Sequence, residues 1–270
     1  MSQTVLVTGA SSGIGAATAR LFHSSGFTTF GTSRSSSNLP ARTDFTMVGL
    51  DVTSDASVRD CIDRILSQTG RIDILINNAG YSLNGAAEET SIAEAKDQFE
   101  TNFFGVVRMV NAVLPHMRQA GAGRIINLGS LVGLLAVPYG AFYCATKFAL
   151  EAYSESLWYE LRPFGIGVSL IEPGFVRTSI GHAARLATGA LRAYDGPRDR
   201  VIAAIKSGVE KGCPPDLVAR SIFSAATSRK PHLRYRVGAD ARWLPRLRRA
   251  VPWNVFASGL RRQFALDAES

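Results

Sequence analysis

The stretch Thr4-Val5-Leu6-Val7-Thr8-Gly9-Ala10-Ser11-Ser12-Gly13-Ile14-Gly15 joins a short apolar run to a helical pattern through a turn rich in glycine. The run predicts a β-strand over residues 4–8, and the apolar spacing after it predicts a helix over residues 13–25. The three glycines permit a tight turn, a close approach of backbone N–H groups to a phosphate, and tight packing of helix on strand. The alternative is a glycine-rich turn that binds no ligand. The position of this turn directly after the first strand favours phosphate binding.

The alternation of strand and helix continues along the chain. Further apolar, β-branched runs predict strands over residues 27–32, 45–50, 72–77, 124–128, 167–171 and 233–237. Helical patterns fall between them at residues 54–69, 92–119 and 141–163. Because the strands are apolar almost throughout, we expect both of their faces to be buried, and the repeated order gives right-handed βαβ units. The sequence therefore predicts an α/β protein of the Rossmann type, with a doubly wound parallel sheet in three α/β/α layers.

Length and composition fit a single domain over residues 1–270. With 270 residues, of which 46% are hydrophobic, the chain can bury a full core, and no linker or repeat divides it. Residues 178–216 follow the carboxyl end of a predicted strand, where such sheets place their ligands, so we predict a substrate lid there. Residues 239–270 form a basic C-terminal tail.

The N-terminus and the cysteines favour a soluble protein of the reducing cytoplasm. The chain enters its first strand without a signal-peptide pattern, and no apolar run reaches the roughly 18 residues that a membrane span needs. Cys61, Cys144 and Cys213 lack any close pairing, so neither a disulfide framework nor a zinc cluster is expected. The histidines lack neighbours at ligand spacing, so we expect no metal. They are His23, His116, His182 and His232.

Positive charge is concentrated at the C-terminus. The formal net charge is +8, and the last 37 residues carry eight arginines against three carboxylates, a net of +5. Without a recognition motif, we do not expect nucleic acid as a partner. Apolar and aromatic residues lie among the arginines, as in membrane-surface helices, but Pro245 and Pro252 interrupt a long amphipathic helix. Two short helices that pack on the body or on a neighbouring subunit are favoured, and a peripheral membrane contact stays open.

The end of the second predicted strand bears on the choice of cofactor. A carboxylate there would bind the adenosine ribose hydroxyls, but the sequence is Gly31-Thr32-Ser33-Arg34, without an acid. Ser33 and Arg34 can instead hold a 2′-phosphate, the arginine through a charge-assisted pair of hydrogen bonds. A solvated loop arginine is the alternative. The pattern favours NADP(H) over NAD(H).

Tyr143 and Lys147 stand four residues apart at the start of a long helical pattern, so both project from one helix face. A free phenol titrates near pH 10, and a neighbouring ammonium group favours the phenolate and brings the pKa towards the working range of an acid or base. Such pairs are common on exposed helices, so this pair alone indicates little. Ser130, just beyond a buried strand, adds a hydroxyl that can hydrogen-bond a substrate oxygen.

Together these motifs resemble the short-chain dehydrogenase/reductase family over about residues 3–180. The resemblance rests on Thr8-Gly9-x-x-x-Gly13-Ile14-Gly15, Asn77-Asn78-Ala79-Gly80, Asn102, Ser130, Tyr143-x-x-x-Lys147, Pro173-Gly174 and Thr178. It implies a single-domain Rossmann fold in which Tyr143 is the general acid and base, and Lys147 lowers its pKa and binds the nicotinamide ribose. It also implies that Ser130 orients the carbonyl and that Asn102, an ordinary helix residue by pattern alone, holds a water of a proton relay.

The same resemblance implies the remaining cofactor contacts. Asp51 and Val52 would meet the adenine, and residues 77–80 would line the adenosine side. Pro173, Gly174, Val176 and Thr178 would hold the carboxamide. With the turn and the second strand, the predicted cofactor-binding residues are Gly9, Ser11, Ser12, Gly13, Ile14, Gly15, Ser33, Arg34, Asp51, Val52, Asn77, Asn78, Ala79, Gly80, Tyr143, Lys147, Pro173, Gly174, Val176 and Thr178.

The predicted function is an NADP(H)-dependent oxidoreductase that reduces a ketone or aldehyde, or catalyses the reverse reaction. The apolar segment 131–139 can wall a pocket for a hydrophobic substrate or can be buried packing, and both interpretations stay open. The tail is similar to those of hydroxysteroid and retinol dehydrogenase-like members. Family resemblance also implies a homodimer or homotetramer. A catalytically silent NADP(H)-binding sensor or scaffold is the alternative, and it would be expected to lack one of the four catalytic residues.

Overall fold

The structure, a computed structural model, describes residues 2–34, 44–178 and 184–267. Within these ranges the strands are β1 (Thr4–Val7), β2 (Thr28–Ser33), β3 (Thr46–Gly49), β4 (Ile74–Asn77), β5 (Leu83–Asn84), β6 (Gly123–Leu128), β7 (Ile166–Pro173), β8 (Arg185–Leu186) and β9 (Arg234–Val237). The α-helices are α1 (Gly13–Ser24), α2 (Asp55–Thr69), α3 (Ile92–Phe99), α4 (Gly105–Ala120), α5 (Ala141–Leu161), α6 (Asp195–Lys211), α7 (Pro215–Thr227), α8 (Ala239–Ala250) and α9 (Trp253–Gln263). Residues 179–183 of the predicted lid, which include His182, and residues 268–270 of the tail lie outside the described ranges.

Seven strands form one parallel sheet in the order β3-β2-β1-β4-β6-β7-β9. From β1 the chain moves outward to β3 and then returns to pair β4 with the other edge of β1. This reversal of direction opens a crevice at the carboxyl ends of β1 and β4, where open α/β sheets bind their ligands. The predicted Rossmann-type, single-domain architecture is confirmed.

Two apolar cores lie on opposite faces of the sheet. Neighbouring residues of β1 alternate between them: Leu6 packs with α2, α4 and α5, whereas Val5 and Val7 pack with α1 and α7. All three β1 residues are fully buried. A strand between two helical layers must be apolar at every position, which is why its sequence shows no alternation.

The seven strand predictions correspond to the seven sheet strands, but the predicted helix over 92–119 is wrong as one regular helix. A π-helical segment, Glu100–Phe104, separates α3 from α4. A π turn takes an extra residue into the helix and changes the direction of the side chains that follow, and nothing in the apolar spacing signals it. The short parallel pair of β5 and β8 also lacked a sequence signal.

The C-terminal tail forms two short helices, as predicted. Pro252 separates α8 from α9, whereas Pro245 lies inside α8 without ending it. Phe256 and Ala241 are buried against Leu131 and Leu135 of the segment that follows β6, so the tail packs on the body of the protein. Across the described residues, no helix combines the length and apolar character that a membrane span requires.

Candidate active site

Two connected cavities open at the carboxyl edge of the sheet. The outer groove, of about 450 Å³, runs past the ends of β1 and β2, and the inner pocket, of about 210 Å³, lies below it at the start of α5. Ile14, Asn78, Gly80 and Tyr81 line both cavities. A ligand that occupied the groove would therefore reach the pocket.

The glycine turn presents uncapped amides to the outer groove. Ser12 precedes α1 without capping it through its side chain, and the first turn of α1 contains no acidic residue. In contrast, the Ser54 side chain caps α2 and Asp55 lies in its first turn. Free N–H groups and the helix dipole make the start of α1 a site for an anion, and the groove passes along it.

Close packing and hydrogen bonds hold this turn to the end of β4. A Cβ at Gly15 would lie 2.2 Å from the Gly9 carbonyl oxygen, so only glycine fits there. The Asn78 amide group donates to the carbonyl oxygens of Thr8 and Gly9 at 2.8 and 3.0 Å. Thr8 Oγ1 in turn accepts from the backbone N–H groups of Asn78 and Ala79, both at 2.9 Å. Asn78 therefore fixes the turn as well as lining the groove.

The far end of the groove is formed by the ends of β2 and β3. Ser33, Arg34, Asp51 and Val52 line it, and no carboxylate follows β2 within residues 32–34. The Asp51 carboxylate accepts hydrogen bonds from the backbone and the hydroxyl of Thr53 at 2.9 and 2.8 Å. Burial acts to raise the pKa of Asp51, but these hydrogen bonds outweigh it, and the pKa is lowered overall. Between the start of α1 and the ends of β2 and β3, the groove thus combines uncapped amides, the Arg34 guanidinium and the Asp51 carboxylate, a set of groups that fits a dinucleotide.

Helix α5 brings Tyr143 and Lys147 to the inner pocket. Lys147 is 9% exposed, and its Nζ donates to the Leu128 carbonyl oxygen at 2.7 Å, which fixes it beside the end of β6. Nζ lies 5.8 Å from the centre of the Tyr143 ring. The two side chains therefore share one face of the first turns of α5.

Burial governs the acidity of both groups. It raises the pKa of Tyr143 to about 12, against a hydrogen bond with Ser130 that lowers it. Burial also lowers the pKa of Lys147 to about 8, against the negative charge of Glu151, which raises it. Desolvation of the phenolate thus outweighs the hydrogen bond from Ser130, and the lowering of the phenol pKa by Lys147 stays a prediction.

Ser130 and Asn102 complete the polar side of the pocket. Ser130 Oγ accepts from the Val132 N–H at 3.3 Å, which holds it at the start of the segment after β6. The Asn102 side chain accepts from the Tyr81 N–H at 3.1 Å and donates to the Tyr81 carbonyl oxygen at 2.9 Å. Asn102 lies within the π-helical segment and is 2% exposed, so its amide ties this segment to the end of the groove.

Most of the remaining lining of the inner pocket is apolar. The segment after Ser130 both packs in a core and lines the pocket, so the two interpretations of residues 131–139 apply together. Its apolar lining also comes from the predicted lid and from the tail. These side chains are Leu131, Val132, Leu135, Val137, Ile205, Val209, Leu244, Leu260 and Phe264.

Most of the predicted site residues line one of the two cavities. The predicted residues that line the groove are Gly9, Ser11, Ser12, Ile14, Ser33, Arg34, Asp51, Val52, Asn78, Ala79 and Gly80. Those that line the pocket are Asn102, Ser130, Tyr143, Lys147, Pro173, Gly174, Val176 and Thr178. Gly13 and Gly15 are not among the residues that line the cavities, but a Cβ at Gly13 would lie 3.3 Å from Thr178 and one at Gly15 would clash with Gly9. Asn77 points into the core, where its amide donates to Asn127 Oδ1 at 2.9 Å.

Among the groove residues that the sequence did not indicate, Tyr81 and Arg185 contact each other. Tyr81 follows the residue 77–80 motif directly, a position that could have drawn attention to it. The pairing of β8 with β5 brings Arg185 to the groove. Its guanidinium lies 4.4 Å from the centre of the Tyr81 ring. Nothing in the local sequence distinguishes Arg185 from a solvated arginine.

Comparison with known proteins places this geometry in a family. The family model for short chain dehydrogenases matches residues 3–188. The 3-ketodihydrosphingosine reductase of Bacteroides thetaiotaomicron is 40% identical over 238 residues, which are 87% of this chain and 88% of that protein. A solved short-chain dehydrogenase from Streptomyces avermitilis superimposes with a TM-score of 0.81 at 35% identity and covers 96% of this chain and 98% of its own.

Two further solved structures hold different cofactors. ElxO, with NADP bound, has a TM-score of 0.72 at 25% identity and covers 88% of this chain and 97% of its own. A short-chain dehydrogenase/reductase from Burkholderia phymatum, in complex with NAD, has a TM-score of 0.76 at 28% identity and covers 86% of this chain and 88% of its own. Similar folds therefore accept either nucleotide.

Proposed function

The chain belongs to the short-chain dehydrogenase family, and from this premise we propose that it is an NADP(H)-dependent oxidoreductase that reduces a hydrophobic ketone or aldehyde, or oxidises the corresponding alcohol. The observation that carries the proposal is that Tyr143, Lys147, Ser130 and Asn102 line one apolar pocket that continues into a groove suited to a dinucleotide. The partner in the reaction is a small molecule.

Each catalytic side chain has a distinct task in this proposal. Nicotinamide, when bound, supplies or accepts the hydride at the substrate carbon. Tyr143 donates its phenolic proton to the carbonyl oxygen in reduction, and takes it back in oxidation. The Ser130 hydroxyl donates a hydrogen bond to the same oxygen. Lys147, held by the Leu128 carbonyl oxygen, binds the nicotinamide ribose and stabilises the phenolate through its charge, and Asn102 orders the proton relay.

The preference for NADP(H) rests on the end of β2. Ser33 and Arg34 line the groove where a ribose 2′-phosphate would lie, and the acid that would favour NAD(H) is missing. Because solved relatives carry NADP or NAD, the preference depends on these two side chains and not on the fold. In a cell that keeps this cofactor reduced, carbonyl reduction is the favoured direction.

A hydrophobic substrate is supported by the lining of the pocket. Apolar side chains from four parts of the chain surround the polar groups at its base. A relative with 40% identity is named for the reduction of 3-ketodihydrosphingosine. The catalytically silent sensor is not favoured, because all four predicted catalytic residues line the pocket together.

The function is tested by following the absorbance of reduced nicotinamide with aliphatic, aromatic and steroidal ketones. We expect NADPH to be oxidised faster than NADH, and the more apolar ketones to be turned over best. Binding of NADPH without turnover of any ketone, or of any alcohol in the reverse direction, would support the silent sensor instead. Faster turnover with NADH would contradict only the role of Arg34 in cofactor choice and would leave the proposed reaction standing.

Assembly and location complete the proposal. We expect a homodimer or homotetramer through the long helices α4 and α5, since α5 exposes Phe148 and Tyr159 on its outer side. Light scattering after gel filtration measures this state directly. We expect the protein in the cytoplasm.

A further inference from the structure

Helices α8 and α9 carry large apolar side chains on their solvent side. The exposed fractions are 67% for Trp243, 48% for Leu247, 61% for Trp253 and 60% for Val255. Trp243 and Leu247 are one helical turn apart, so they share a face of α8. All four side chains keep about half or more of their surface exposed, although the opposite sides of both helices are packed against the body.

The same helices carry a surplus of positive charge. Their arginines, all exposed, are Arg242, Arg246, Arg248, Arg249, Arg261 and Arg262. Within the described part of the chain, only Arg261 among them forms an ion pair with a carboxylate, that of Asp267. Asp240 is occupied elsewhere, since its side chain accepts from the backbone N–H of Phe175 at 2.9 Å. The outer side of α8 and α9 is therefore both apolar and strongly cationic.

Arginine and tryptophan also contact each other on this surface. The guanidinium of Arg246 lies 5.5 Å from the Trp243 ring centre, and that of Arg248 lies 4.7 Å from the Trp253 ring centre. An exposed indole beside a guanidinium suits the boundary between water and lipid, where the ring can enter the headgroup region while the cation meets phosphates.

We propose that the outer side of α8 and α9 docks on the surface of a bilayer that contains anionic phospholipid. The arginines supply the electrostatic attraction, and Trp243, Leu247 and Trp253 supply apolar area to bury at the headgroup boundary. A symmetric contact between two copies through this side would bring unpaired arginines against arginines, and such like-charge contact opposes association. Anionic lipid satisfies both the charge and the apolar side chains.

Docking on this side would bring the membrane close to the inner pocket. Leu244 and Leu260, on the inner sides of the same two helices, line that pocket. Asp240 fixes the start of α8 to the turn after β7, and its carboxylate leaves no space for a side chain at Gly174. If the proposed function holds, an apolar ketone dissolved in the bilayer would have a short path to the site, but the docking itself does not depend on the reaction.

The test measures vesicle binding by the full chain. Trp158→Phe leaves Trp243 and Trp253 as the two remaining fluorescent tryptophans. With vesicles of phosphatidylcholine and phosphatidylglycerol, we expect co-sedimentation and a blue shift of the emission. Both should weaken as salt is raised and be small with phosphatidylcholine alone, because salt screens the arginine charges. Absence of binding to the anionic vesicles, or equal binding to both kinds, would overturn the proposal.

Paired variants locate the surface. Arg246→Gln with Arg249→Gln should weaken partitioning onto the anionic vesicles about tenfold or more, since each cation near such a surface contributes on this scale. Trp243→Gln with Leu247→Gln should weaken it as well. The matched control is Arg59→Gln with Arg64→Gln, which removes the same charge from the exposed side of α2. Equal loss in the control would show general attraction and overturn the assignment to α8 and α9.

Two further readouts distinguish lipid docking from misfolding and from self-association. Unchanged circular dichroism and unchanged reduction of a water-soluble ketone by the Arg246, Arg249 variant would show an intact protein and support a docking role. Loss of self-association in the Trp243, Leu247 variant without lipid would assign this side to a second copy of the chain and overturn the proposal. Because the sedimentation readout needs no turnover, failure of docking and failure of the proposed reaction are distinguishable.

Discussion

The outer groove and the inner pocket adjoin each other but are built in different ways. The groove is formed by the turns that follow β1, β2, β3 and β4, mostly with backbone groups and short polar side chains. The predicted catalytic groups of the pocket lie just after β6, on α5 and in the π-helical segment, while its apolar lining includes side chains from α6, α8 and α9. Strand ends thus form almost all of the groove, whereas the shape of the inner pocket depends on side chains from distant parts of the chain.

The difference has a physical origin. A dinucleotide needs amides at a helix start and a close approach of backbone, and a glycine turn between strand and helix supplies both. An apolar cavity needs only the right volume and no competing polar atoms, and any set of aliphatic side chains can supply that. We therefore expect substitutions in the groove to change the cofactor, and substitutions in the pocket wall to change the substrate.

Tyr143→Phe tests the junction of the two cavities and has the largest expected effect. Loss of the phenolic proton should lower kcat for every ketone, with NADPH or NADH, by a factor on the order of 10²–10⁴. Cofactor affinity, followed by nicotinamide fluorescence, should change little. Tyr159→Phe, 63% exposed on the same helix, is the control and should retain full turnover. Undiminished turnover in the Tyr143 variant would rule out this mechanism.

Arg34→Gln tests the groove alone. Loss of a charge-assisted contact with the 2′-phosphate should weaken NADPH binding about 10- to 100-fold and leave NADH binding unchanged. Titration calorimetry with both cofactors measures the ratio of the dissociation constants for NADPH and NADH. Arg59→Gln removes an equal charge outside the groove and should leave the ratio as it is. If the Arg34 variant keeps its preference, other residues select the cofactor.

Leu260→Ala tests the pocket wall alone. Removal of a side chain that lines the cavity should raise KM for a bulky apolar ketone about tenfold, with little change for a small ketone or for NADPH. Val255→Ala, on the solvent side of the same helix, provides the comparison and should leave KM unchanged. Equal effects of the two substitutions on KM would contradict a wall formed by α9.

The pH dependence tests the polar base of the pocket and has the smallest expected effect. Burial lowers the pKa of Lys147 to about 8, so its charge, and with it the rate of reduction, should fall as pH rises through this value. Glu151 raises that pKa, so Glu151→Gln should move the decline to lower pH by less than about one unit. Glu160→Gln, exposed on α5, should leave the profile unchanged. A shift to higher pH in the Glu151 variant would contradict the assigned charge interaction.

The sequence predicted the sheet and the glycine turn well because their signals are local. Each sheet strand is a short apolar run between helical patterns, and the turn lies directly after the first of them. The pair Tyr143 and Lys147 was meaningful only together with Ser130 and the glycine turn. Their common location beside one pocket is a property of the parallel sheet, whose strand ends meet at one edge.

Residues whose role depends on helix phase or strand facing were harder to predict. Asn77 belongs to the motif of residues 77–80, yet its side chain donates to Asn127 inside the core, since neighbouring strand residues face opposite ways. Asn102 reaches Tyr81 from a π-helical segment that the apolar spacing did not indicate. In both cases one extra residue or one change of face decides the direction of the side chain.

By itself, the sequence determined the layers of the fold, the glycine turn after β1 and the candidates for the reactive groups, because hydrophobic runs, glycines and the four-residue helical spacing act over short distances along the chain. The tertiary structure alone decided that Arg185 reaches the groove, that α8 and α9 supply part of the pocket wall, and that Trp243 and Trp253 remain outside. An apolar residue has the same local signal in a core, in a cavity wall or on a surface, and only the packing of distant segments separates the three.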